Sequence, residues 1–176
     1  MERKFTLKDN FTGEEAKKVT EVTFFSQDDR LKLLFICSDS DIISKGKSYN
    51  DRLYEGDVAE LFLTLGERNR YLELEVNPDG VEYAGVVEND GKGGISITYI
   101  PESPFVSKTE RTEYGWTSEW EIDLKTLRAL GYKEEDAYFN LYRQDFEPDG
   151  KLNLYALCPT YKPTFHAPDA FKKYQG

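Results

Sequence analysis

The 176-residue chain has one histidine and one methionine, and only two cysteines, Cys37 and Cys158. It has no CxxC pair and no Cys/His cluster, which excludes a structural zinc site. A haem held by His and Met would have to use His166 and Met1, the only residues of those types, so a six-coordinate haem is not expected. Basic residues are in deficit, 23 against 33 acidic, for a net charge of −10. A nucleic-acid surface needs a basic stripe that displaces counterions, and an anionic membrane attracts the same sign, so neither partner is expected. No apolar run approaches the roughly 18 residues of a spanning helix. The start Met1-Glu2-Arg3-Lys4-Phe5 lacks the apolar stretch of a signal peptide. A native Met1 would therefore fit a cytoplasmic protein, and a trimmed start a secreted one.

What the chain does have is aromatic: 12 Tyr, 11 Phe and 2 Trp. That payload suits a packed core rather than a disordered chain. The length fits one domain over residues 1–176, large enough to need no disulfide or metal staple. Both cysteines lie in strand-like stretches, where a reduced buried thiol is the default, and a bridge between them cannot be read from sequence.

Turn signals recur at short intervals, among them Gln27-Asp28-Asp29, Asn77-Pro78-Asp79-Gly80, Tyr114-Gly115 and Pro148-Asp149-Gly150. Short runs rich in Val, Ile, Phe, Tyr and Thr lie between them. This pattern predicts an all-β fold, an antiparallel β-sandwich of immunoglobulin-like or jelly-roll type. Residues 71–77 alternate, with Leu72, Leu74 and Val76 on one face and Tyr71, Glu73, Glu75 and Asn77 on the other. Residues 116–124 alternate likewise, which places Trp116 and Trp120 in the core. Residues 31–37 and 58–65 are more continuously apolar and read as central strands. Hairpins are expected across Gln27-Asp28-Asp29 and across Tyr114-Gly115. One short connecting helix is predicted after Asp123 as N-cap, with Leu124, Leu127 and Leu130 on one face and Gly131 at its end.

The polar face of residues 71–77 offers aromatic and hydrogen-bonding groups together. It reads either as a saccharide-binding surface or as an ordinary solvated sheet face. Tyr54 reads as a stacking platform or a packed loop aromatic. Arg143, in an apolar strand, needs a carboxylate partner such as Glu60 or Glu75 and would also suit a ligand hydroxyl. His166 reads as a structural residue bonding backbone. Turn aspartates (Asp39, Asp41, Asp79, Asp90 and Asp149) suit oxygen ligation of a structural calcium, but turns are Asp-rich in any case. Asn10-Phe11-Thr12 is a formal glycosylation sequon.

Several stretches carry a resemblance. Tyr54-Glu55-Gly56-Asp57-Val58-Ala59-Glu60-Leu61-Phe62-Leu63 resembles the aromatic, x, x, Asp, x, x, Glu, apolar run of carbohydrate-binding module family 9 and its DOMON-like relatives. Residues 71–80, Trp116–Ile122, Phe139-Asn140-Leu141-Tyr142-Arg143 and the closing Thr164-Phe165-His166-Ala167-Pro168 resemble further family stretches, in the family's order, over nearly the whole chain. The resemblance implies a β-sandwich that binds the end of a glucan or xylan chain without catalysis. It implies as ligand contacts Tyr54, Glu60, Glu75, Asn77 and Arg143. Leu157 falls where family members often carry a clamping Trp, and Tyr161 is the expected substitute wall. The alternatives are a scaffolding sandwich that has lost the clamp, or a glycosidase using Glu73 and Glu75. Neighbours on one face of one strand do not readily bracket a substrate from opposite sides, which disfavours the enzyme.

Overall fold

The structure is a computed structural model that describes residues 2–174. The strands are β1 (Arg3–Thr6), β2 (Lys8–Asp9), β3 (Thr20–Gln27), β4 (Arg30–Ser38), β5 (Val58–Thr64), β6 (Arg70–Val76), β7 (Glu82–Asn89) and β8 (Ile95–Tyr99). They continue with β9 (Phe105–Thr112), β10 (Gly115–Asp123), β11 (Tyr138–Phe146), β12 (Leu152–Ala156) and β13 (Lys172–Lys173), and one helix, α1 (Leu124–Ala129), follows β10. All pairings are antiparallel. One sheet has the order β1-β3-β4-β10-β9, and the other β2-β12-β11-β5-β6-β7-β8, with β13 also on β11. The all-β sandwich is therefore the architecture. Among the described residues no helix is long and apolar enough to cross a membrane.

The two sheets bury one main core. Phe35, Phe105, Trp116 and Trp120 come from the smaller sheet, and Leu61, Leu63, Leu72, Leu74, Phe139 and Leu141 from the larger. Phe24 stacks on Phe139 across the interface, with ring centroids 5.0 Å apart. Both tryptophans are buried, as their alternating strand requires. The β3–β4 hairpin turns through Asp28 and Asp29, both with positive φ, which matches the primed turns that follow strand twist. Asp123 caps α1 by accepting from the Lys125 N–H at 3.0 Å, and Gly131 takes φ +106° beyond the helix, where glycine alone is unstrained. Cys37 and Cys158 are free thiols.

Two expectations change. β4 is central but alternates, with Leu31, Leu33, Phe35 and Cys37 inward and Ile36 43% exposed, because the outer face of the smaller sheet is bare. The polar face of β6 is not solvated: Tyr71, Glu73 and Glu75 are buried. Chain outside the sheet covers that face, and this cover builds the site below. The sequon at Asn10 is also buried. Its amide donates to Thr160 Oγ1 at 2.9 Å and to the Lys162 carbonyl at 2.8 Å, so it clamps two loops and is no glycan acceptor.

Gly115 opens β10 at φ +146°, and a Cβ there would fall 2.0 Å from the Cys37 carbonyl oxygen. Gly115→Ala should therefore cost on the order of 3 kcal/mol, through strain and a displaced β4 edge. Chemical denaturation reads this directly, and a variant as stable as the native protein would contradict it.

Candidate functional site

The outer face of the larger sheet carries a cavity of about 410 Å³, within the size range of small-ligand sites. Its floor is written in the strand register. Glu60 on β5 lies directly opposite Glu75 on β6, and Glu75 lies opposite Tyr83 on β7. One step along, Phe62 lies opposite Glu73, Glu73 opposite Gly85, and Gly85 opposite Tyr99 on β8. Because side chains alternate along a strand, these residues all face the same side. Gly85 matters here: a Cβ at this position would meet the Ile97 side chain at 2.8 Å.

Two segments wall the floor. The loop from Ile43 to Asp57 brings Asn50, Arg52 and Tyr54. It is tied down at several points. Asn77 donates to the Lys45 carbonyl at 2.7 Å, Asp57 Oδ2 accepts from the Ile43 N–H at 2.6 Å, and Asn50 Oδ1 accepts from the Ala84 N–H at 2.9 Å. Leu53, fully buried beside Val58 and Tyr83, pins the turn. Tyr54, next in sequence, is left 48% exposed on a rigid support, which lowers the ordering cost of binding. The second wall is Pro163–His166. Tyr142 donates to the Phe165 carbonyl at 3.1 Å and its ring stacks on Phe165 at 4.1 Å. Asn89 donates to the His166 carbonyl at 3.1 Å.

The floor is electrostatically unusual. Glu60, Glu73 and Glu75 are all buried, and one carboxylate oxygen from each lies within 4.8 Å of the others. Gln144 donates to Glu60 Oε1 at 3.1 Å, while Glu73 Oε2 and Glu75 Oε2 receive no amide, hydroxyl or cationic donor and these two carboxyls hydrogen-bond to each other. Burial, and then the neighbouring carboxylates, push Glu60 and Glu75 well above the ordinary range. Burial lifts Glu73 to about 7. His166 shares a 2.9 Å hydrogen bond between Nδ1 and the Tyr71 hydroxyl. Its Nε2 is 3.8 Å from Glu73, and burial lowers it to about 4, so it is neutral near pH 7 and supplies no cation.

Of the six residues singled out from sequence, Tyr54, Glu60 and Glu75 come together in this cavity. The other three do not. Asn77 is fully buried, and its amide is spent on the 43–57 loop. Arg143 is also fully buried and lies on the opposite face of β11 from Tyr142 and Gln144, because odd and even residues alternate. Its guanidinium donates to Asp39 at 3.0 Å, Asp145 at 2.9 Å and the Ser38 carbonyl at 2.9 Å, not to Glu60 or Glu75. Tyr161 is 66% exposed, sits at φ +57° and covers Gly13, away from the cavity lining. Leu157 packs against the inter-sheet core, so the residue at the family's Trp position does not wall the cavity. The turn aspartates are occupied as well. Asp39 holds Lys18 and Arg143, Asp79 holds Arg111, and Asp90 and Asp149 accept backbone N–H groups.

Tyr83, Tyr99, Phe165 and His166 line the cavity although sequence reasoning did not select them. Tyr83 and Tyr99 meet edge to face at 5.8 Å. The period-two pattern of β7 and β8 could have flagged both tyrosines. Only the closing segment's path over the sheet could have flagged Phe165 and His166.

No family model and no curated protein matches the sequence. Solved structures do. A protein from Bacteroides uniformis ATCC 8492 proposed to bind carbohydrate superposes with a TM-score of 0.75 at 14% identity, over 96% of this chain and 84% of its own. A family 9 carbohydrate-binding module from Caldicellulosiruptor kristjanssonii, solved with glucose, gives 0.65 at 15% identity, over 98% and 85%. Solved with cellotriose, it gives 0.65 at 15%, over 99% and 83%. Identity this low speaks for the fold alone, and the fold is the β-sandwich that this chain shares with these family 9 modules.

Proposed function

We propose that this chain binds a saccharide, without chemical turnover, in the cavity on the outer face of the larger sheet. Buried carboxyl oxygens without an amide, hydroxyl or cationic donor, set inside aromatic walls, carry the reading. A sugar supplies what that site lacks: hydroxyl donors for Glu60, Glu73 and Glu75, and apolar C–H faces for Tyr54, Tyr83 and Tyr99. The glucose and cellotriose held by the family 9 structures make gluco-oligosaccharides the first ligands to test. Asn77 serves as a positioning residue, holding the loop that carries Tyr54 through the Lys45 carbonyl. All three glutamates stand on two adjacent strands of one floor, whereas glycosidases bracket the scissile bond from two sides. This supports binding over hydrolysis.

Calorimetry with glucose, cellotriose and xylotriose tests the proposal. Tyr54→Ala should weaken binding by about tenfold or more, the loss of one stacking platform, with stability nearly unchanged because the ring is half exposed. No binding to any saccharide on a glycan array, or binding that Tyr54→Ala leaves intact, would refute the site. Turnover of an oligosaccharide would refute the non-catalytic part.

A further inference from the structure

A second cavity, of about 500 Å³, adjoins the first, and Ile95, Thr164 and His166 line both. Together the two form a groove between two rails. One rail is β8 and the turn before it. Tyr99, Ile97 and Ile95 fall on one face of β8 by alternation and are all exposed, a track of about 13 Å that continues through Gly93 and Gly91. The other rail is the segment from Pro163 to Asp169. Its path is held by Arg68, which donates to the Pro168 carbonyl at 2.9 Å, and by Asn89, which donates to the His166 carbonyl at 3.1 Å. Asn89 Oδ1 also accepts the Gly91 N–H at 2.9 Å, so one buried amide ties the two rails at a fixed width. The 43–57 loop, with Tyr54, stands at one end of the groove, and the other leads past His166 to exposed Asn69 and Gly93.

We propose that the second cavity is a further subsite of the saccharide site, so that the ligand is an oligosaccharide whose chain runs from Tyr54 past His166 to Asn69 and Lys162. This rests on the saccharide reading of the first cavity and adds the length and direction of the ligand. The two compartments differ in chemistry. The first has tyrosines that stack on a ring, whereas the lining of the second holds no Tyr, Phe or Trp. It holds Asn69, Lys162 and Asp169 instead, all exposed at its rim, a set of donors and acceptors suited to hydroxyls. His166 stands at the junction. Its Nδ1 is engaged with the Tyr71 hydroxyl at 2.9 Å, while its Nε2 is 3.8 Å from Glu73, beyond hydrogen-bond range. Nε2 is therefore left for a hydroxyl of the unit that crosses from one cavity to the other. A single pyranose ring fills only part of a groove this long, and each further unit adds hydrogen bonds at the far end.

Calorimetry on the full chain with cello- and xylo-oligosaccharides, from the monosaccharide to the tetrasaccharide, tests this. Affinity should rise with length through at least the trisaccharide, by about tenfold or more over the monosaccharide, as units added in the second cavity gain hydrogen bonds. Asn69→Ala and Lys162→Ala should each weaken the tetrasaccharide about three- to tenfold, the loss of one such bond, and leave monosaccharide affinity unchanged. Both residues are exposed, so the fold should be unaffected, which thermal unfolding checks. Lys92→Ala, in the same turn as Gly91 and Gly93 but outside the lining, should change neither affinity. Three results would overturn the subsite while the first cavity still binds sugar: affinity independent of length, tetrasaccharide binding that neither variant weakens, or variants that weaken monosaccharide and tetrasaccharide alike. Binding of neither series at any length would overturn the saccharide reading together with the subsite, a result distinct from those three.

Discussion

Arg143→Met should lower folding stability by about 3–5 kcal/mol, the cost of leaving buried carboxylates without their cation. For a chain of this size that is roughly a 6–20 °C fall in unfolding temperature. The guanidinium joins β11 of the larger sheet to the smaller one, at the end of β4 through Asp39 and the Ser38 carbonyl and at the start of β3 through Thr20 Oγ1 at 3.1 Å. The side chains of Arg143, Asp39 and Asp145 are fully shielded from solvent. Removing Arg143 leaves Asp39 and Asp145 to Lys18 alone. Thermal denaturation of Arg143→Met beside the quadruple variant Arg143→Met, Lys18→Met, Asp39→Asn, Asp145→Asn separates the causes. The quadruple variant should recover most of the loss, because Lys18, which pairs with the same two aspartates, is not left as an unpaired charge. A single variant that stays within 1 kcal/mol or so of the native protein would show that the network is not the latch between the sheets.

Glu75→Gln should have the opposite sign on stability and a large effect on binding. The variant should be more stable by about 1–3 kcal/mol, the usual penalty of a buried polar group that lacks a good donor. Glutamine keeps the shape and one acceptor oxygen. It brings an N–H₂ group that can donate to the flanking Glu60 and Glu73 carboxylates, and it removes one charge from a site where burial, then Glu60 and Glu73, disfavour ionisation. Saccharide affinity should fall at least about tenfold, since one carboxyl oxygen that meets a ligand hydroxyl is replaced by an amide N–H₂. Urea denaturation and calorimetry on the same preparation check both halves. A less stable variant with native affinity would remove Glu75 from the site. A gain in stability with a loss of binding is the mark of a residue kept for function at a cost to the fold.

The secondary structure was legible because its causes are local. The β3–β4 and β9–β10 hairpins followed from turn residues between β-branched and aromatic runs, and α1 from a capping aspartate and a leucine face. The resemblance to family 9 pointed to the fold that the solved structures share. Half of the candidate site was legible too, since Tyr54, Glu60 and Glu75 do meet in one cavity.

The rest depended on contacts between distant residues. A period-two pattern says that Glu73 and Glu75 share a face, but not whether that face meets water. The cover supplied by residues 163–166 and by the 43–57 loop buries it and turns ordinary carboxylates into a strained cluster. The same limit explains Arg143 and Asn77. Arg143 reads as needing a carboxylate and Asn77 as a ligand contact, yet their partners are Asp39, Asp145 and the Lys45 carbonyl, which only the packing of sheet on sheet and loop on strand could select. The sequence alone, poor in histidine and methionine and short of basic residues, determined an aromatic β-sandwich with few chemistries open to it. Tertiary structure decided which carboxylates the chain neutralises with its own cations and which it leaves facing an open cavity, because charge pairing at that range is set by distance in space and not along the chain.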